Sequence, residues 1–189
     1  HLRRAHTLAP ADADTLIVST GASPNLLNVP GEVELTGRGV SYCATCDGWF
    51  FKGKQVVVVG GGDSALEEGL FLTRFAASVT ILHRRDSLRA GAILQKRALG
   101  HPGIKFIWNT VVTEAVGTDK LTAVKIKHLQ TGEESLFSTD GLFVFIGHTP
   151  NTTMFAGQLD MKNGYIQVDD RMRTSVPGVF AAGESADSH

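Results

Sequence analysis

Gln55-Val56-Val57-Val58-Val59-Gly60-Gly61-Gly62-Asp63-Ser64-Ala65 is the stretch on which the fold turns. Four consecutive β-branched valines favour extended backbone, and an uninterrupted apolar run suits a strand covered on both faces of a parallel sheet. The run breaks at three glycines, after which Ser64 to Arg74 reads as a helix. Ser64 and Glu67 have capping-box spacing, with Asp63 a rival N-cap. Ala65 and Gly69, four apart on one face, are small enough to let that helix lie close to the sheet. Ser78–His83 supplies a second strand and completes a βαβ unit of about thirty residues.

A glycine turn between a strand and a helix has a chemical use. In the G-x-G-x-x-G/A fingerprint one glycine makes the turn and another lets backbone approach a pyrophosphate. The third small residue allows tight helix packing, and the phosphate rests on the helix N-terminus. Gly60, Gly62 and Ala65 occupy those three places, and Asp63 and Ser64 open the helix. The end of the second strand decides which dinucleotide. An NAD site calls for Asp or Glu about twenty residues on, to accept from the ribose hydroxyl. Here the chain has His83-Arg84-Arg85, followed by Arg89, and guanidinium groups match a 2′-phosphate with paired charged hydrogen bonds. Asp86 is the nearest acid and is placed to pair with an arginine instead. NADPH is the expected coenzyme.

Upstream lies Tyr42-Cys43-Ala44-Thr45-Cys46-Asp47-Gly48, which holds both cysteines of the chain. Zinc wants four ligands, and there is no second cysteine pair or histidine pair at ligand spacing, so no metal site is expected. A redox dithiol needs no more than the pair itself. Asp47 directly follows and is placed to give or take the proton that dithiol chemistry requires. The plain alternative is two buried structural thiols. Trp49, Phe50 and Phe51 read as core or lid packing.

The remaining chain agrees with an α/β protein. Thr15–Thr20 reads as a buried strand closed by Gly21–Pro24, and Asn25–Gly39 as a connector. Ala90–Leu99 is expected as a second helix ended by Gly100. Lys105–Trp108, Val111–Val116, Leu121–Leu129 and Ser135–Ser138 read as strands, with a β-meander among them, and Leu142–Ile146 as a central strand. Ile146 and Gly147 end that strand, where ligands of such sheets bind, and His148 is a hinge or cofactor-edge position. Asn163-Gly164 marks a hairpin, and Val179–Ala182 a last strand stopped by Gly183-Glu184. Glu184 is placed to hydrogen-bond a ribityl hydroxyl.

Totals set the outer limits. The 189 residues carry 42% hydrophobic and 20% charged residues with a net charge of −1, an ordinary globular balance. That charge gives no footprint for nucleic acid or an anionic membrane, and no run approaches a membrane span. No secretory leader is evident, and two cysteines build no disulfide scaffold, so a cytoplasmic setting is expected. The chain begins at His1 and ends at Ser188-His189, so both ends read as cut.

With Cys43–Gly48, Gly60–Ala65 and His83–Arg85 in that order, the chain resembles a low-molecular-weight thioredoxin reductase. Ser19–Ala22, Gly147–Asn151 and Thr174–Gly183 agree with the same family. The resemblance implies a Rossmann-like NADPH-binding domain, a parallel sheet plus β-meander, at 24–147. It would be inserted into an incomplete FAD-binding domain of the two-dinucleotide-binding flavoprotein type, whose flanks are 1–23 and 148–189. It further implies a homodimer passing reducing equivalents from NADPH through FAD and a Cys43–Cys46 disulfide to thioredoxin. Cys46 would face the flavin, Cys43 would attack the thioredoxin disulfide, and Asp47 would be the acid/base. Gly60, Gly62 and Ala65 would hold the pyrophosphate, and His83, Arg84, Arg85 and Arg89 the 2′-phosphate. Hinges for a swivelling NADPH domain would fall near Gly21–Pro24 and Gly147–Pro150. The family's first FAD segment and closing helix do not occur in this chain, and Gly183-Glu184 stands where Gly-Asp is usual. The chain as given is therefore expected to bind NADPH but to hold FAD poorly. Two other readings stay open: the flavoprotein arm of a peroxide-reducing system, and an NADPH-binding module without turnover of its own.

Overall fold

The computed structural model describes residues 13–187, and the chain divides into two compact units. One is Pro24–Gly147; the other is formed by the described parts of His1–Ser23 and His148–His189. In the latter, β1 (Leu16–Val18) and β2 (Ala22–Pro24) come first.

The larger unit begins with β3 (Val40–Ser41), a short helix α1 (Ala44–Asp47) and a 3₁₀ turn (Gly48–Phe51). Next come β4 (Gln55–Val59), α2 (Asp63–Leu72), β5 (Ser78–Leu82), α3 (Ala92–Leu99) and β6 (Ile104–Ile107). An antiparallel meander of β7 (Thr110–Gly117), β8 (Leu121–His128) and β9 (Glu134–Ser138) follows. β10 (Gly141–Val144) then inserts between β3 and β4, giving a five-stranded sheet in the order β3-β10-β4-β5-β6. All its pairings are parallel. The segment expected at Lys105–Trp108 thus forms the edge of the parallel sheet, and the meander proper starts one strand later.

The valine run explains this layering. Val56 and Val58 face a core built with Ala65, Leu66 and Leu72 of α2, while Val57 and Val59 face one built with Val112, Ala115 and Val124 of the meander. Period-two alternation sends neighbouring side chains to opposite faces, so a strand covered on both must be apolar throughout. Each valine so buried contributes about 1.5–3 kcal/mol over leaving it exposed. α2 lies close to the sheet at Gly69, where a Cβ would stand 3.3 Å from Ile81 Cδ1.

Three expectations need correction. α2 starts on Gly62 without a side-chain cap, so neither Ser64 nor Asp63 is its N-cap. The Asp63 carboxylate is engaged elsewhere, accepting Gly91 N–H at 2.8 Å. Of the aromatic trio, Phe51 is buried, but Trp49 and Phe50 are 64% and 68% exposed. β1 buries only Val18, leaving Ile17 66% exposed. β1 pairs with β14 (Val179–Ala181), and Val18 joins the core of the smaller unit while Ile17, on the opposite face of the strand, does not.

The smaller unit continues with β11 (His148–Pro150), β12 (Met161–Lys162), β13 (Tyr165–Gln167), β14 (Val179–Ala181) and β15 (Ala186–Asp187). β1 pairs β14, β2 pairs β11, and β12-β13-β15 form a three-stranded sheet. The hairpin expected at Asn163-Gly164 is present, with φ of 53° and 86°, the positive pair a two-residue turn of the I′ kind needs. Val18, Phe155, Leu159, Ile166 and Val179 make its core.

Within the larger unit, the chain leaving α1 approaches α2 closely at Gly48, where a Cβ would stand 3.2 Å from Leu72 Cδ2. Glu68 of α2 is half-buried here and its Oε2 has no partner. Burial pushes its carboxyl above the usual range, and the neighbouring Glu67 adds to this, against the backbone N–H groups of Ala44 and Thr45. The folded chain therefore holds this proton to a higher pH than the unfolded chain does. Stability attributable to Glu68 is lost as pH rises from the ordinary glutamate value through the raised one. Glu68→Gln, neutral at every pH, is expected to raise the unfolding midpoint at pH 8 and to leave it nearly unchanged at pH 4. Thermal unfolding at the two pH values checks this; an equal shift at both would remove the charge argument.

Candidate functional site

A cavity of about 340 Å³ opens where β4, β5 and β10 end, in the size range of a small-molecule site. Its floor is the glycine turn, in which Gly60 and Gly61 are required for different reasons. Gly60 has φ +153°, and a Cβ there would stand 2.4 Å from the Phe145 carbonyl oxygen and 2.6 Å from Ala65 Cβ. At Gly61 a Cβ would stand 2.2 Å from the His83 ring. Gly62 meets no heavy atom within 4 Å, so a side chain there would project into open space. Asp63, Ser64 and Ala65 complete this wall, and the first-turn N–H groups of the uncapped α2 lack acceptors within the helix.

The opposite wall is basic. His83, Arg84 and Arg89 line the cavity; Arg85 does not. The backbone of Arg89 donates to the Gly61 carbonyl at 2.8 Å, and Ala90 N donates to the same oxygen at 3.3 Å. With the Asp63–Gly91 bond, these latch the 84–91 turn onto the glycine loop and fix Arg89 at the rim. Among the described residues the ion pairs are Lys125–Glu114, Lys127–Glu134 and Arg173–Asp169, so Asp86 neutralises none of these arginines. His83 is buried, and its Nε2 donates to the Ser87 carbonyl at 3.1 Å, since a carbonyl can only accept. Burial holds its imidazole below the usual histidine range, and the Arg85 and Arg89 charges push the same way. A neutral ring leaves the positive charge to the arginines. Ile146 and Gly147 also line the cavity.

The two sulfurs belong to the same unit. Cys43 and Cys46 form a disulfide with Cα atoms 5.3 Å apart. Cys43 is the N-cap of α1, and its Sγ accepts Cys46 N–H at 3.2 Å, with Thr45 Oγ1 3.3 Å away. Those donors favour negative charge on Cys43 once the bond opens. Cys46 is exposed and Cys43 half-buried. Asp47 is half-buried, its Oδ2 accepting the Ser41 hydroxyl at 2.6 Å. No cluster of three His, Cys, Asp or Glu side chains suited to a metal ion occurs among the described residues.

Some contributors escaped the sequence reading. Glu32 is fully buried and accepts Leu27 N–H at 2.8 Å, Asn28 N–H at 2.7 Å and the Tyr42 hydroxyl at 3.0 Å. It joins the cavity wall, through Leu27, to the residue before Cys43. Burial, with the Glu32 charge adding to it, pushes the Tyr42 phenol up to about 12. A lone glutamate in a glycine- and proline-rich connector gave no periodic signal. Gly61 had one, as the third glycine of a run, but its reason is the ring of His83. Gly183 and Glu184 lie in the smaller unit, exposed on a 3₁₀ turn after β14.

The chain is similar to known proteins. The chain is 50% identical over 177 residues to a thioredoxin reductase of Streptomyces coelicolor, covering 93% of this chain and 55% of that protein. It is 53% identical over 174 residues to the Bacillus subtilis thioredoxin reductase, covering 91% and 55%. The crystal structure of the Lactococcus lactis thioredoxin reductase superposes with a TM-score of 0.83 at 45% identity, over 93% of this chain and 58% of that one. The crystal structure of the T. acidophilum thioredoxin reductase gives 0.83 at 40%, over 94% and 59%. The chain thus spans little more than half the length of the relatives it matches. Residues 4–189 match the family described as pyridine nucleotide-disulphide oxidoreductase, and with its dithiol and glycine turn in one unit the chain belongs to that family.

Proposed function

We propose that the full-length protein is a thioredoxin-disulfide reductase drawing its electrons from NADPH through FAD. The observation that carries the reading is a closed Cys43–Cys46 disulfide in the same unit as a glycine turn walled by unpaired arginines. The names of the relatives favour this over the flavoprotein arm of a peroxide-reducing system.

The residues fit the coenzyme. The open space at Gly62 and the free first-turn amides of α2 suit a pyrophosphate. Arg84 and Arg89 suit a 2′-phosphate, and the charge of Arg85, outside the cavity lining, reaches His83 within it. Gly60 and Ala65 keep the turn tight, and Asp63 acts by holding the 84–91 turn. Ser64, Ile146 and Gly147 wall the remaining space. The 13–23 and 148–187 segments supply part of an FAD domain. There Thr20 carries a buried hydroxyl oxygen without a partner, and Gly183 and Glu184 extend beyond a strand end. FAD, when bound, relays the two electrons of a hydride to the disulfide.

The chain's own groups then do the following. Opening the disulfide takes up two electrons and two protons: Cys43 is left as a thiolate, held by the Cys46 N–H, with one proton on the Cys46 thiol and the other, drawn from solvent, on the Asp47 carboxyl. The Cys43 sulfur attacks one sulfur of the partner disulfide; a mixed disulfide forms, and the departing partner sulfur takes a proton from Asp47. Asp47 next accepts the Cys46 proton as that sulfur attacks Cys43. The Cys43–Cys46 bond closes, and the second partner sulfur leaves with the proton. Two enzyme sulfurs are oxidised and two partner sulfurs reduced. Exposed Trp49 and Phe50 beside the pair suit a protein partner better than a small disulfide. The reading carries with it a homodimer in the cytoplasm, where a reducing thiol pool keeps such a pair turning over.

In the full-length protein, Cys43→Ser and Cys46→Ser are each expected to abolish NADPH-driven reduction of thioredoxin while leaving NADPH binding intact. Retained turnover in either variant would remove the dithiol reading. Arg84→Ala with Arg89→Ala should lower the preference for NADPH over NADH by about a hundredfold, taking roughly 1.4 kcal/mol for each lost charged contact. Coenzyme titration measures this, and an unchanged ratio would send the 2′-phosphate elsewhere. Gly61→Ala should push His83 aside and disturb the Gly61 carbonyl that holds the Arg89 backbone, so the same titration should show binding of both coenzymes weakened, NADPH more than NADH.

A further inference from the structure

The Cys-x-x-Cys-Asp turn is tied at both ends to one side chain that lies outside the motif. Ser41 is the last residue of β3, 4% exposed, and it pairs with Phe143 of β10 within the parallel sheet. Its Oγ accepts Cys43 N–H at 3.1 Å and donates to Asp47 Oδ2 at 2.6 Å. The Cys43 carbonyl also lies 3.2 Å from this hydroxyl, yet it is already served by Asp47 N–H at 3.1 Å. A hydroxyl has one hydrogen to give, and the shorter contact is to the acceptor able to carry charge. The result is a closed ring: Cys43 N–H to Ser41, Ser41 to the Asp47 carboxyl, Asp47 N–H to the Cys43 carbonyl.

We propose that Ser41 is a positioning residue for the disulfide chemistry: it occupies Asp47 Oδ2, leaves Oδ1 as the oxygen that exchanges protons with the sulfurs, and fixes that oxygen to the sheet. This rests on the reading of Asp47 as the proton donor and acceptor. α1 is only four residues long and cannot hold its own last side chain steady. β3 can, because its neighbour β10 is buried throughout. Each half-reaction requires a proton to pass between Asp47 and a different sulfur. A carboxyl that swung between rotamers would meet either sulfur for a fraction of the time. General acid–base catalysis is lost steeply when the donor leaves hydrogen-bond reach, and displacements near 1 Å cost up to about a hundredfold.

The test uses the full-length protein, with NADPH-driven reduction of thioredoxin, followed by the reaction of reduced thioredoxin with 5,5′-dithiobis(2-nitrobenzoate), as the turnover assay. Ser41→Ala is expected to lower kcat by about tenfold, a partial loss of positioning, while the KM for NADPH and its affinity by titration stay unchanged. Ser41→Thr, which keeps the hydroxyl, should recover most of the rate. In an Asp47→Asn background, Ser41→Ala should cost nothing further, because the group it positions is gone. An equal loss from Ser41→Ala in both backgrounds overturns the proposal, as does a threonine variant that folds, binds NADPH and runs as slowly as the alanine variant. Asp47→Asn at the wild-type rate would instead overturn the acid/base reading on which this one stands. The titration with NADPH separates any of these from a chain that has failed to fold.

Discussion

The double coverage of β4 is the constraint from which the rest of the larger unit follows. A strand packed by helices on one face and a meander on the other cannot end in a wide loop. The chain leaving Val59 must turn back at once, beneath Phe145 and against Ala65. A side chain at Gly60 would strike both, so the turn is made of glycine and is tight. Tightness then brings α2 forward with its first N–H groups uncapped and facing open space. The uncapped amides at the cavity are thus a consequence of how the core packs on β4, not a feature added to a finished fold.

The same sheet carries the sulfur pair. β3 and β4 flank β10, so the residues leaving β3 enter the dithiol turn on the scaffold whose next strand ends in the glycine loop. Three buried polar groups hold this region: Ser41 under the turn, Glu32 between Tyr42 and the Leu27 loop, and Glu68 beneath α1. The first two are fully satisfied by short hydrogen bonds, which makes burial tolerable. Glu68 is not, having one oxygen without a partner. Incomplete satisfaction costs stability, and its location against the first amides of α1 puts that cost beside the reactive pair.

What could be read from sequence was whatever depends on neighbours a few residues apart. The strand–turn–helix at 55–72, the Asn163-Gly164 hairpin and the Cys43–Cys46 spacing are of that kind, since period, turn chemistry and reach are local properties. The errors share the opposite property. Asp63 looked like a cap because its partner, Gly91, lies 28 residues on, in a turn whose position only the folded sheet defines. Trp49 and Phe50 were read with Phe51 as core or lid packing; their exposure rules out the core, and no local pattern separates them from the buried Phe51. Ile17 looked buried because its run is apolar, but burial depends on what lies across the strand. Gly61 was visible as a letter, and its reason was not: the constraint is an imidazole arriving from the next strand.

Charge placement separates the cavity from the remaining surface. The ion pairs of the described residues lie on the meander and on the Asp169–Arg173 turn, all exposed by a third or more. Pairs of that kind contribute between nothing and about 1 kcal/mol each, and salt screens them further. Arg84 and Arg89 have a carboxylate within easy sequence reach in Asp86, and yet no ion pair forms. Leaving cations unpaired around a burial-neutralised histidine gains the folded chain nothing by itself. It raises the local potential where an anion would sit, and the Gly61 carbonyl holds the Arg89 backbone there. A group with several negative oxygens entering this cavity would therefore meet charge already in place, with little reorganisation to oppose binding.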